Sequence, residues 1–456
     1  MNVLIVGDNS INDTVLNYFL KRGMNPVVFT DVFSLRSLTG ETGNFTANTT
    51  DGEIKADYVV ITEQKDGLQQ KHCTCPPASP DSQEPVVFLL DYYRESPMSS
   101  TIYALENAVK SARKKRQVYY LAKFIRTAGR GVEQLYRVAR EAGVTFVKYD
   151  ELRFSFDTEI EEFTIQVYAK NINNKPELCL KTKNIYSDGN ADSNERFTYL
   201  IKKLNLSTNK NNAITEDTHF LTPALTSRKG VFYLSQDLAA ERLDEGLDYI
   251  YSCINLFEQA QDDLAESQDK NAVEIDGKKC VFCYNCYRSC PHAALEPDMK
   301  QGQMQCLSKA CYGCGTCISI CPASAITFIN EVNVKHGTCP PASLILYCEN
   351  TKIDSVSDIK NIDHYAVPCG GFIDLEQLST GLKSYNKIIS VVCPDDACRH
   401  FSGNKRACVQ TKRLQYLLDS TGLSQNKIKV IQVSHAMPQV LYDEVKEFTE
   451  EQESKA

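Results

Sequence analysis

The sequence predicts an α/β protein in three parts: a nucleotide-binding-like N-terminal region (1–268), a small cysteine-rich insert (269–335) and a C-terminal α/β domain (336–456). Three observations predict this organisation. The chain opens with a strand–helix–strand pattern. A cysteine motif ending in proline occurs twice between residues 280 and 322. After residue 343, strand-sized apolar runs alternate with helical periodicity.

The composition limits the classes of function. A chain of 456 residues is long enough for about three domains. The formal net charge of −8 argues against a nucleic-acid partner. Its apolar runs are shorter than the roughly 18 residues of a membrane span, and Met1–Gly7 is typical of a first strand rather than a secretion signal. We therefore expect a cytoplasmic protein that reaches a membrane only through a partner. Its 19 cysteines should bind metal instead of forming disulfides.

The N-terminal region begins with the elements of a Rossmann-type fold. Residues 2–6 form a continuous apolar run, which is typical of a buried parallel strand. A helical pattern follows over residues 11–22, Gly23 ends it, and residues 26–30 give a second strand. We expect this β-α-β unit to start a parallel sheet.

The turn after the first strand carries the candidate nucleotide-binding residues. The dinucleotide fingerprint is G-x-G-x-x-G, whereas residues 7–12 read G-D-N-S-I-N and keep only Gly7. Asn9 places a Cβ where a pyrophosphate would approach the backbone, and Asp8 places a negative charge where phosphate would bind. Asp31 follows the second strand, where an acidic residue would meet a ribose hydroxyl. Two interpretations remain: a fold that has lost its nucleotide, or FAD bound at Gly7 and Asp31.

The rest of this region alternates strands and helices. Cys73 and Cys75 lie in a polar, proline-rich loop, and we interpret them as free surface thiols because a C-x-C pair cannot complete a cluster alone. A polar stretch at residues 261–277 marks the boundary to the insert. The predicted elements are strands at 43–50, 53–61, 86–90, 117–125, 144–148 and 230–235, helices at 100–116, 131–141 and 238–266, and a hairpin at 151–170.

The insert carries the motif C-x2-C-x2-C-x3-C-P twice, as CVFCYNCYRSCP from residue 280 and CYGCGTCISICP from residue 311. This run binds iron–sulfur clusters in bacterial two-cluster ferredoxins, where the fourth cysteine of each run ligates the other cluster. We therefore predict two [4Fe–4S] clusters with crossed ligands. The first set is Cys280, Cys283, Cys286 and Cys321, and the second set is Cys311, Cys314, Cys317 and Cys290.

A zinc site or a disulfide lattice fits these cysteines less well. A structural zinc site usually takes pairs of cysteines rather than three-plus-one runs that end in proline. A disulfide lattice requires an oxidising compartment. Both runs are also followed by similar tails, His292–Leu295 and Ala323–Ile326, which indicates an internal repeat. Thiolate-bound clusters of this type pass electrons at low potential, on the order of −400 mV.

The C-terminal domain contains a third group of cysteines. Cys348, Cys369 and Cys393 each fall at the end of a predicted strand, and Cys398 lies in the loop before the next helix. Ligand sites of open α/β sheets gather at the carboxyl ends of the strands, so these four thiolates should converge and bind one further cluster. Ordinary burial of some of them is the alternative. The predicted elements are strands at 344–347, 365–367, 387–392 and 428–433 and helices at 374–385 and 404–420.

Residues 1–265 resemble the flavoprotein subunit of heterodisulfide reductase, a family in which a ferredoxin insert follows at the same place. The resemblance implies a flavoprotein fold and the placement of the ferredoxin insert. The family's glycine-rich FAD turn is here reduced to Gly7, and its cysteine-rich segment is replaced by residues 96–101, S-P-M-S-S-T. The stretches that carry the resemblance are Gly43–Thr46, Phe124–Val144 and Thr226–Leu234.

Residues 391–404, VVCPDDACRHFSGN, resemble the delta subunit of methyl-viologen-reducing hydrogenase, an adaptor family that carries a [2Fe–2S] cluster. The similarity covers residues 344–448 and implies a [2Fe–2S] cluster on the four C-terminal cysteines. The family's first C-x-x-C is here C-E-N-T, so Cys339 and Cys408 are candidate substitutes for Cys348. We interpret His400 as ordering the loop rather than binding metal.

The order of the three parts resembles fused proteins such as an iron–sulfur subunit of the quinone-interacting membrane-bound oxidoreductase. Our hypothesis is an iron–sulfur electron-transfer subunit of a heterodisulfide-reductase-like complex, which relays electrons between partner subunits through two [4Fe–4S] clusters and one [2Fe–2S] cluster. No residues are arranged as nucleophile, general base and oxyanion donor, so we expect no substrate site on this chain. Two alternatives stay open: an FAD-binding subunit that exchanges electrons with a nicotinamide or quinone pool, and a redox-sensing or structural iron–sulfur protein.

Overall fold

The computed structural model divides the chain into two compact units. The first comprises residues 1–62, 199–233 and 247–456, and the second comprises residues 63–198 and 234–246. The structure describes residues 1–63, 85–92, 96, 98–127, 131–157, 162–168, 176, 178–187, 195–208, 214, 224–235, 242–263, 272–329, 343–357, 359–395, 397–423 and 427–450.

Strands and helices alternate along the described chain, as predicted for an α/β protein. The helices are α1 (Asn12–Leu20), α2 (Met98–Arg113), α3 (Val132–Glu141), α4 (Glu195–Leu204), α5 (Leu243–Asp263), α6 (Asn285–Ser289), α7 (Thr316–Ser319), α8 (Leu375–Ser384), α9 (Gly403–Ser420) and α10 (Pro438–Glu450). The strands are β1 (Asn2–Val6), β2 (Asn25–Phe29), β3 (Leu35–Glu41), β4 (Asn44–Thr49), β5 (Glu53–Ala56), β6 (Tyr58–Ile61), β7 (Val86–Leu89), β8 (Val118–Ala122), β9 (Thr145–Lys148), β10 (Glu151–Asp157), β11 (Glu162–Tyr168), β12 (Leu178–Thr182), β13 (Asn184–Ser187), β14 (Val231–Tyr233), β15 (Val273–Ile275), β16 (Leu295–Asp298), β17 (Gln303–Cys306), β18 (Ile326–Phe328), β19 (Ser343–Cys348), β20 (Ile362–Val367), β21 (Lys387–Val392) and β22 (Ile428–Gln432).

The first unit opens with a parallel sheet in the order β14–β6–β1–β2. Strand β1 lies inside this sheet because it is apolar on both faces, and Val3–Val6 are fully buried. Leu4 pairs in register with Val27 of β2 and with Val59 of β6. Helix α1 connects β1 to β2, which confirms the predicted β-α-β unit and the Rossmann-type start of the chain.

A small antiparallel sheet, β3–β4–β5, lies between β2 and β6 in the sequence. Its second and third strands were predicted, but β3 was not, because the run L-R-S-L-T-G-E lacks a clear apolar alternation. Gly40 has φ of +89°, and a Cβ there would lie 2.1 Å from the carbonyl oxygen of Asn44. The hairpin between β3 and β4 therefore requires glycine at this position.

The second unit contains a parallel sheet in the order β13–β7–β8–β9. Helices α2 and α3 pack on it through Leu105, Ala108 and Ala139, against Phe88 and Tyr120 of the strands. The predicted hairpin is confirmed, since β10 and β11 pair antiparallel and β12 extends them to a third strand. This unit therefore has a core of its own.

The insert, described over residues 272–329, is built from two short hairpin-like pairs. Strand β15 pairs with β18, and β16 pairs with β17, both antiparallel. Each cysteine run leads into a short helix, α6 in the first run and α7 in the second. The two halves of the insert thus have the same local structure, which agrees with the internal repeat in the sequence.

The C-terminal domain is a parallel sheet in the order β20–β19–β21–β22. Strand β21 is buried at every residue. Helix α8 begins with a capping box between Asp374 and Gln377. Helix α10 was not predicted; its Leu441, Val445 and Phe448 pack into a core under the sheet. None of the helices within the described ranges combines the length and the apolar character needed to cross a membrane.

Candidate metal centres

The first cysteine run forms an open loop. Cys283 is exposed, whereas Cys286 is buried on helix α6. Phe282 and Tyr284 take left-handed conformations with φ of 53° and 63°, which turn the loop between the cysteines. Burial raises the pKa of Cys286 to about 11, and the nearby Cys280 and Cys283 raise it further. These three thiols therefore lie close together, and the completion of their set by Cys321 stays a prediction.

The fourth cysteine of the first run lies in the loop of the second run. Cys290, Cys311, Cys314 and Cys317 line a single cavity. Burial raises the pKa of Cys290 to about 12, and the closest thiols that add to this shift are Cys314 and Cys311. The structure thus brings together the four residues of the second predicted set.

The two fourth cysteines have matching hydrogen bonds. The Ala294 N–H donates to Cys290 Sγ at 3.4 Å, and the Ala325 N–H donates to Cys321 Sγ at 3.3 Å. These donors stand at equivalent positions of the two tails. A backbone N–H directed at sulfur stabilises the thiolate form, which is the form that binds metal.

One further thiol lies beside the second set. Cys306 ends β17, opposite Leu295 of β16. A hydrogen bond between Cys306 and Cys311 raises the pKa of Cys306 and lowers the pKa of Cys311. Sequence reasoning missed Cys306 because it lies outside the repeated motif, and its only signal was a cysteine five residues before Cys311.

The four C-terminal cysteines meet at the carboxyl edge of the last sheet, as predicted. Cys348 ends β19, Cys369 and Cys393 follow β20 and β21, and Cys398 precedes α9. Their thiols form a closed ring of contacts in the order Cys348, Cys369, Cys398, Cys393. The Sγ atoms of Cys348 and Cys393 are 4.0 Å apart. Hydrogen bonds from Cys369 and Cys393 lower the pKa of Cys348 and Cys398, and raise the pKa of the two donors.

The wall of this cysteine ring fits a metal cluster. A Cβ at Gly403 would lie 2.1 Å from Cys369 Sγ, so the wall there must be free of a side chain. The Asn350 amide donates to Cys393 Sγ at 3.5 Å. Four converging thiols with an amide donor beside them suit an iron–sulfur cluster. Cys408 lies on α9 and is not one of the four; Cys339, like Cys73 and Cys75, falls outside the described residues.

The second set and the cysteine ring are brought near each other by close backbone packing. Ser319 Oγ donates to the Gly371 carbonyl at 2.6 Å. A Cβ at Gly371 would lie 2.3 Å from Thr316 Oγ1. Because Thr316 adjoins Cys317 and Gly371 is two residues after Cys369, the insert and the C-terminal domain touch at their cysteine sites.

Two buried histidines meet at this contact. His292, two residues after Cys290, is 2% exposed, and His400, two residues after Cys398, is 7% exposed. Nδ1 of His292 lies 3.0 Å from the Ser227 carbonyl, and Nε2 of His292 lies 3.0 Å from Nδ1 of His400. Burial lowers the pKa of His292 to about 3, so the ring is neutral at pH 7. Since a carbonyl only accepts, His292 donates from Nδ1 and accepts at Nε2, and His400 donates from Nδ1.

Two cations lie beside the second set. Arg228 is 2% exposed, donates three hydrogen bonds to backbone carbonyls and lies 3.8 Å from Glu296. Burial lowers the pKa of Arg228 to about 10, which leaves it charged at pH 7. Lys229 Nζ lies 4.3 Å from the ring centroid of Tyr312, and its charge lowers the pKa of Cys311. Positive charge here favours the reduced, more negative form of a cluster.

The candidate nucleotide-binding residues follow two paired strands of the first sheet. Gly7 follows β1, and the exposed Asp31 follows β2. Asn9 closes the turn on itself, since its Oδ1 accepts from the Ile11 N–H at 3.2 Å and its carbonyl accepts from the Asn12 N–H at 3.1 Å. These are N–H groups that would otherwise face a phosphate. The turn therefore does not fit a pyrophosphate.

Comparison with known families identifies two parts of the chain. Residues 272–322 match the family model of the 4Fe-4S dicluster domain. Residues 346–454 match the family model of the methyl-viologen-reducing hydrogenase, delta subunit. The expected ferredoxin-type insert and delta-subunit-like domain are confirmed at this level.

Individual proteins resemble only short parts of the chain. The pyruvate synthase subunit PorD of Methanocaldococcus jannaschii is 40% identical over 57 residues, which cover 12% of this chain and 65% of that protein. A ferredoxin of Pyrobaculum islandicum is 32% identical over 68 residues, covering 15% and 63%. The chain thus spans less than two thirds of the length of these relatives. Thioredoxin reductase of T. acidophilum is 11% identical, with 56% of this chain and 98% of that chain covered and a TM-score of 0.36, too low to support a structural argument.

The chain therefore carries iron–sulfur electron-transfer domains and is a redox protein of the oxidoreductase class. Its [4Fe–4S] clusters belong to the dicluster domain. The ligands of each cluster, the type of cluster at the cysteine ring and the partners of the chain are proposals, given below.

Proposed function

We propose that the chain is an iron–sulfur electron-transfer subunit of a heterodisulfide-reductase-like oxidoreductase complex. The observation that carries this proposal is the contact between the second set of the insert and the cysteine ring, because Ser319 and Gly371 hold the two sites against each other. Electrons can cross a protein only between centres that lie close together, and this contact supplies one such step inside the chain.

Three ligand sets follow from the cysteines. The first and second sets each hold a [4Fe–4S] cluster, and the cysteine ring holds a [2Fe–2S] cluster. Each cluster accepts and donates one electron without breaking a covalent bond. The proposed ligands are Cys280, Cys283, Cys286 and Cys321 for the first cluster, Cys311, Cys314, Cys317 and Cys290 for the second, and Cys348, Cys369, Cys393 and Cys398 for the third.

The protein residues decide how each centre communicates. Cys283 is exposed and Val281 nearby is 64% exposed, which suits an exchange of electrons with a partner protein. Cys314 and Cys317 are buried, so the second set exchanges electrons within the chain. Lys229 and Arg228 add positive charge near the second set and favour its reduction.

The partners are other subunits of the complex, which supply and remove single electrons. The names of two similar proteins, the delta subunit of a hydrogenase and a subunit of pyruvate synthase, support this role within a larger assembly. Cytoplasmic localisation, with membrane attachment through a partner, is part of the same proposal.

An FAD-binding subunit is the second candidate. It is favoured by the Rossmann-type sheet and by the position of Gly7 and Asp31 after adjacent strands. It is disfavoured by Asn9, which occupies the N–H groups of the turn. Flavin content separates the two candidates directly.

The test is the content of iron, acid-labile sulfide and flavin per chain in anaerobically purified protein, with EPR of the reduced sample. We expect about ten irons per chain, no flavin and signals of both [4Fe–4S] and [2Fe–2S] clusters. Stoichiometric FAD would support the second candidate. About eight irons would remove the cluster at the cysteine ring and with it the internal route.

A further inference from the structure

One continuous path of bonds connects the second set to the cysteine ring. The backbone N–H of His292 donates to the sulfur of Cys290, and the backbone N–H of His400 donates to the sulfur of Cys398. The two imidazole rings are joined by the 3.0 Å hydrogen bond between Nε2 of His292 and Nδ1 of His400. From sulfur to sulfur, the path thus consists of two residues and three hydrogen bonds.

We propose that the His292–His400 pair is the electron path between the second [4Fe–4S] centre and the centre in the cysteine ring. This inference rests on the proposed function. One electron leaves the reduced second centre and arrives at the oxidised centre in the ring, and a partner protein restores the electron. No covalent bond forms or breaks, and the hydrogen bond between the rings keeps its proton on His400.

Both rings are held in place for this role. The Ser227 carbonyl fixes Nδ1 of His292 at 3.0 Å, and the Tyr312 ring stacks on His292 with a centroid distance of 4.2 Å. The orientation of His292 is therefore set from two sides. A fixed orientation keeps the hydrogen bond to His400 short, and a short hydrogen bond couples the two sites more strongly than a gap of the same length.

The internal repeat shows that the loop of the insert does not need a histidine here. The two tails read C-P-H-A-A-L and C-P-A-S-A-I, so Ala323 stands at the position equivalent to His292. The N–H of Ala294 and the N–H of Ala325 make the same bond to their cysteines in both halves. Histidine occurs only in the tail of Cys290, whose sulfur belongs to the set that touches the cysteine ring.

A metal site is the other chemistry that these residues suggest. The ligand atoms of His292, His400 and Cys314 all lie within 4.8 Å of one another. Two observations argue against it. The nitrogen atoms of the two rings already face each other as donor and acceptor at 3.0 Å, and Cys314 lies in the cavity of the second set.

The experiment compares electron transfer inside the anaerobic full-length holoprotein with and without the pair. The variants are His292→Ala, which copies the residue of the second repeat, His400→Ala, and the double variant. His364→Ala serves as the control, because His364 is a half-buried histidine of strand β20 that does not belong to the path. Electrons are injected by flash photoreduction, and freeze-quench EPR follows the signals of the two centres.

We expect iron per chain and the EPR line shapes to stay unchanged, while electron equilibration between the two centres slows by roughly tenfold or more in each single variant. The double variant should be no slower than the single variants, because both residues serve one path. His364→Ala should equilibrate at the wild-type rate. Equal rates in wild type and His292→Ala, at equal iron content, would overturn the proposal.

Conservative variants distinguish the path from a general structural role. Asn in place of His400 keeps an N–H donor near the position of Nδ1, and Gln in place of His292 keeps an acceptor near the position of Nε2. We expect His400→Asn and His292→Gln to recover most of the rate lost in the alanine variants. Recovery by neither variant would contradict a role through the hydrogen bond.

The outcome for the wild type separates this proposal from the function on which it rests. If the two centres of the wild-type protein do not equilibrate at all, the proposed electron-transfer function is wrong. If the wild type equilibrates and the histidine variants match it, the function stands and only the path is wrong.

Discussion

The two cysteine runs have identical ligand spacing but different residues between the ligands. The left-handed positions are Phe282 and Tyr284 in the first run and Gly313 and Gly315 in the second. A Cβ at Gly315 would lie 2.7 Å from Phe372 Cδ2 of the C-terminal domain. Glycine is thus required where that domain packs on the loop, and large side chains are accepted where the loop is open.

This difference turns one motif into two kinds of centre. In the first run, Cys283 is exposed and Val281 nearby is 64% exposed. In the second run, Cys314 is 7% exposed and its neighbours include the histidine pair, with Lys229 close to the same loop. The comparison teaches that ligand spacing decides which cluster binds, whereas the residues between the ligands decide what the cluster can reach.

The largest expected effect comes from the crossed ligands. Cys290→Ser should impair the second cluster and leave the first, although Cys290 belongs to the first run, because its thiol lies in the cavity of the second set. Cys321→Ser should have the opposite effect. Each variant should lose up to about four irons per chain, measured by iron analysis and by the EPR signals that remain. Loss of the same cluster in both variants would contradict the crossed assignment.

The next effect comes from exchanging residues between the runs. Gly315→Ala adds a Cβ in a left-handed conformation and against Phe372, and should cost about 2–4 kcal/mol of unfolding free energy. The matched change in the open loop, Tyr284→Gly, relieves a left-handed residue and should change stability by less than about 1 kcal/mol. Denaturant unfolding of the anaerobic holoprotein measures both. A larger loss from Tyr284→Gly would mean that the first loop is the packed one.

The smallest effect concerns charge. Lys229→Gln removes a half-buried cation beside Cys311 and should lower the midpoint potential of the second cluster, by on the order of 1 kcal/mol for one electron. Lys279→Gln, next to Cys280, should have less effect, because the Lys279 side chain is 61% exposed and pairs with Asp276. An EPR-monitored redox titration gives both shifts. A rise in potential on removal of Lys229 would have the wrong sign for an electrostatic effect of this cation.

The sequence predicted those parts of the site whose geometry is local. The ligand spacing of the insert fixes three thiols within one loop, and the β-α-β start follows from the apolar run at residues 2–6. Convergence of Cys348, Cys369 and Cys393 was also predictable, because parallel strands place their carboxyl ends at one edge. Asn9 disrupts the nucleotide fingerprint in the sequence, and in the structure its side chain occupies the turn.

The parts that sequence reasoning missed depend on contacts between distant residues. His292 and His400 are separated by 108 positions, and nothing local to either one indicates a partner. Arg228 is buried by carbonyls of segments far away in the sequence, including that of Leu38. Helix α10 was missed because its tail is polar and acidic, although Phe448 packs in the core. Such features follow from tertiary packing, which overrides local patterns.

The most direct test of the proposed electron route is the order in which the centres are reduced. Freeze-quench EPR after mixing with less than one equivalent of a one-electron reductant should show the cluster of the cysteine ring reduced in the wild type. In Cys290→Ser, which interrupts the second centre, that signal should appear far more slowly while the first centre is still reduced. A ring signal that rises equally fast in both proteins would show that electrons reach the C-terminal domain without passing through the second centre, which contradicts the route proposed here.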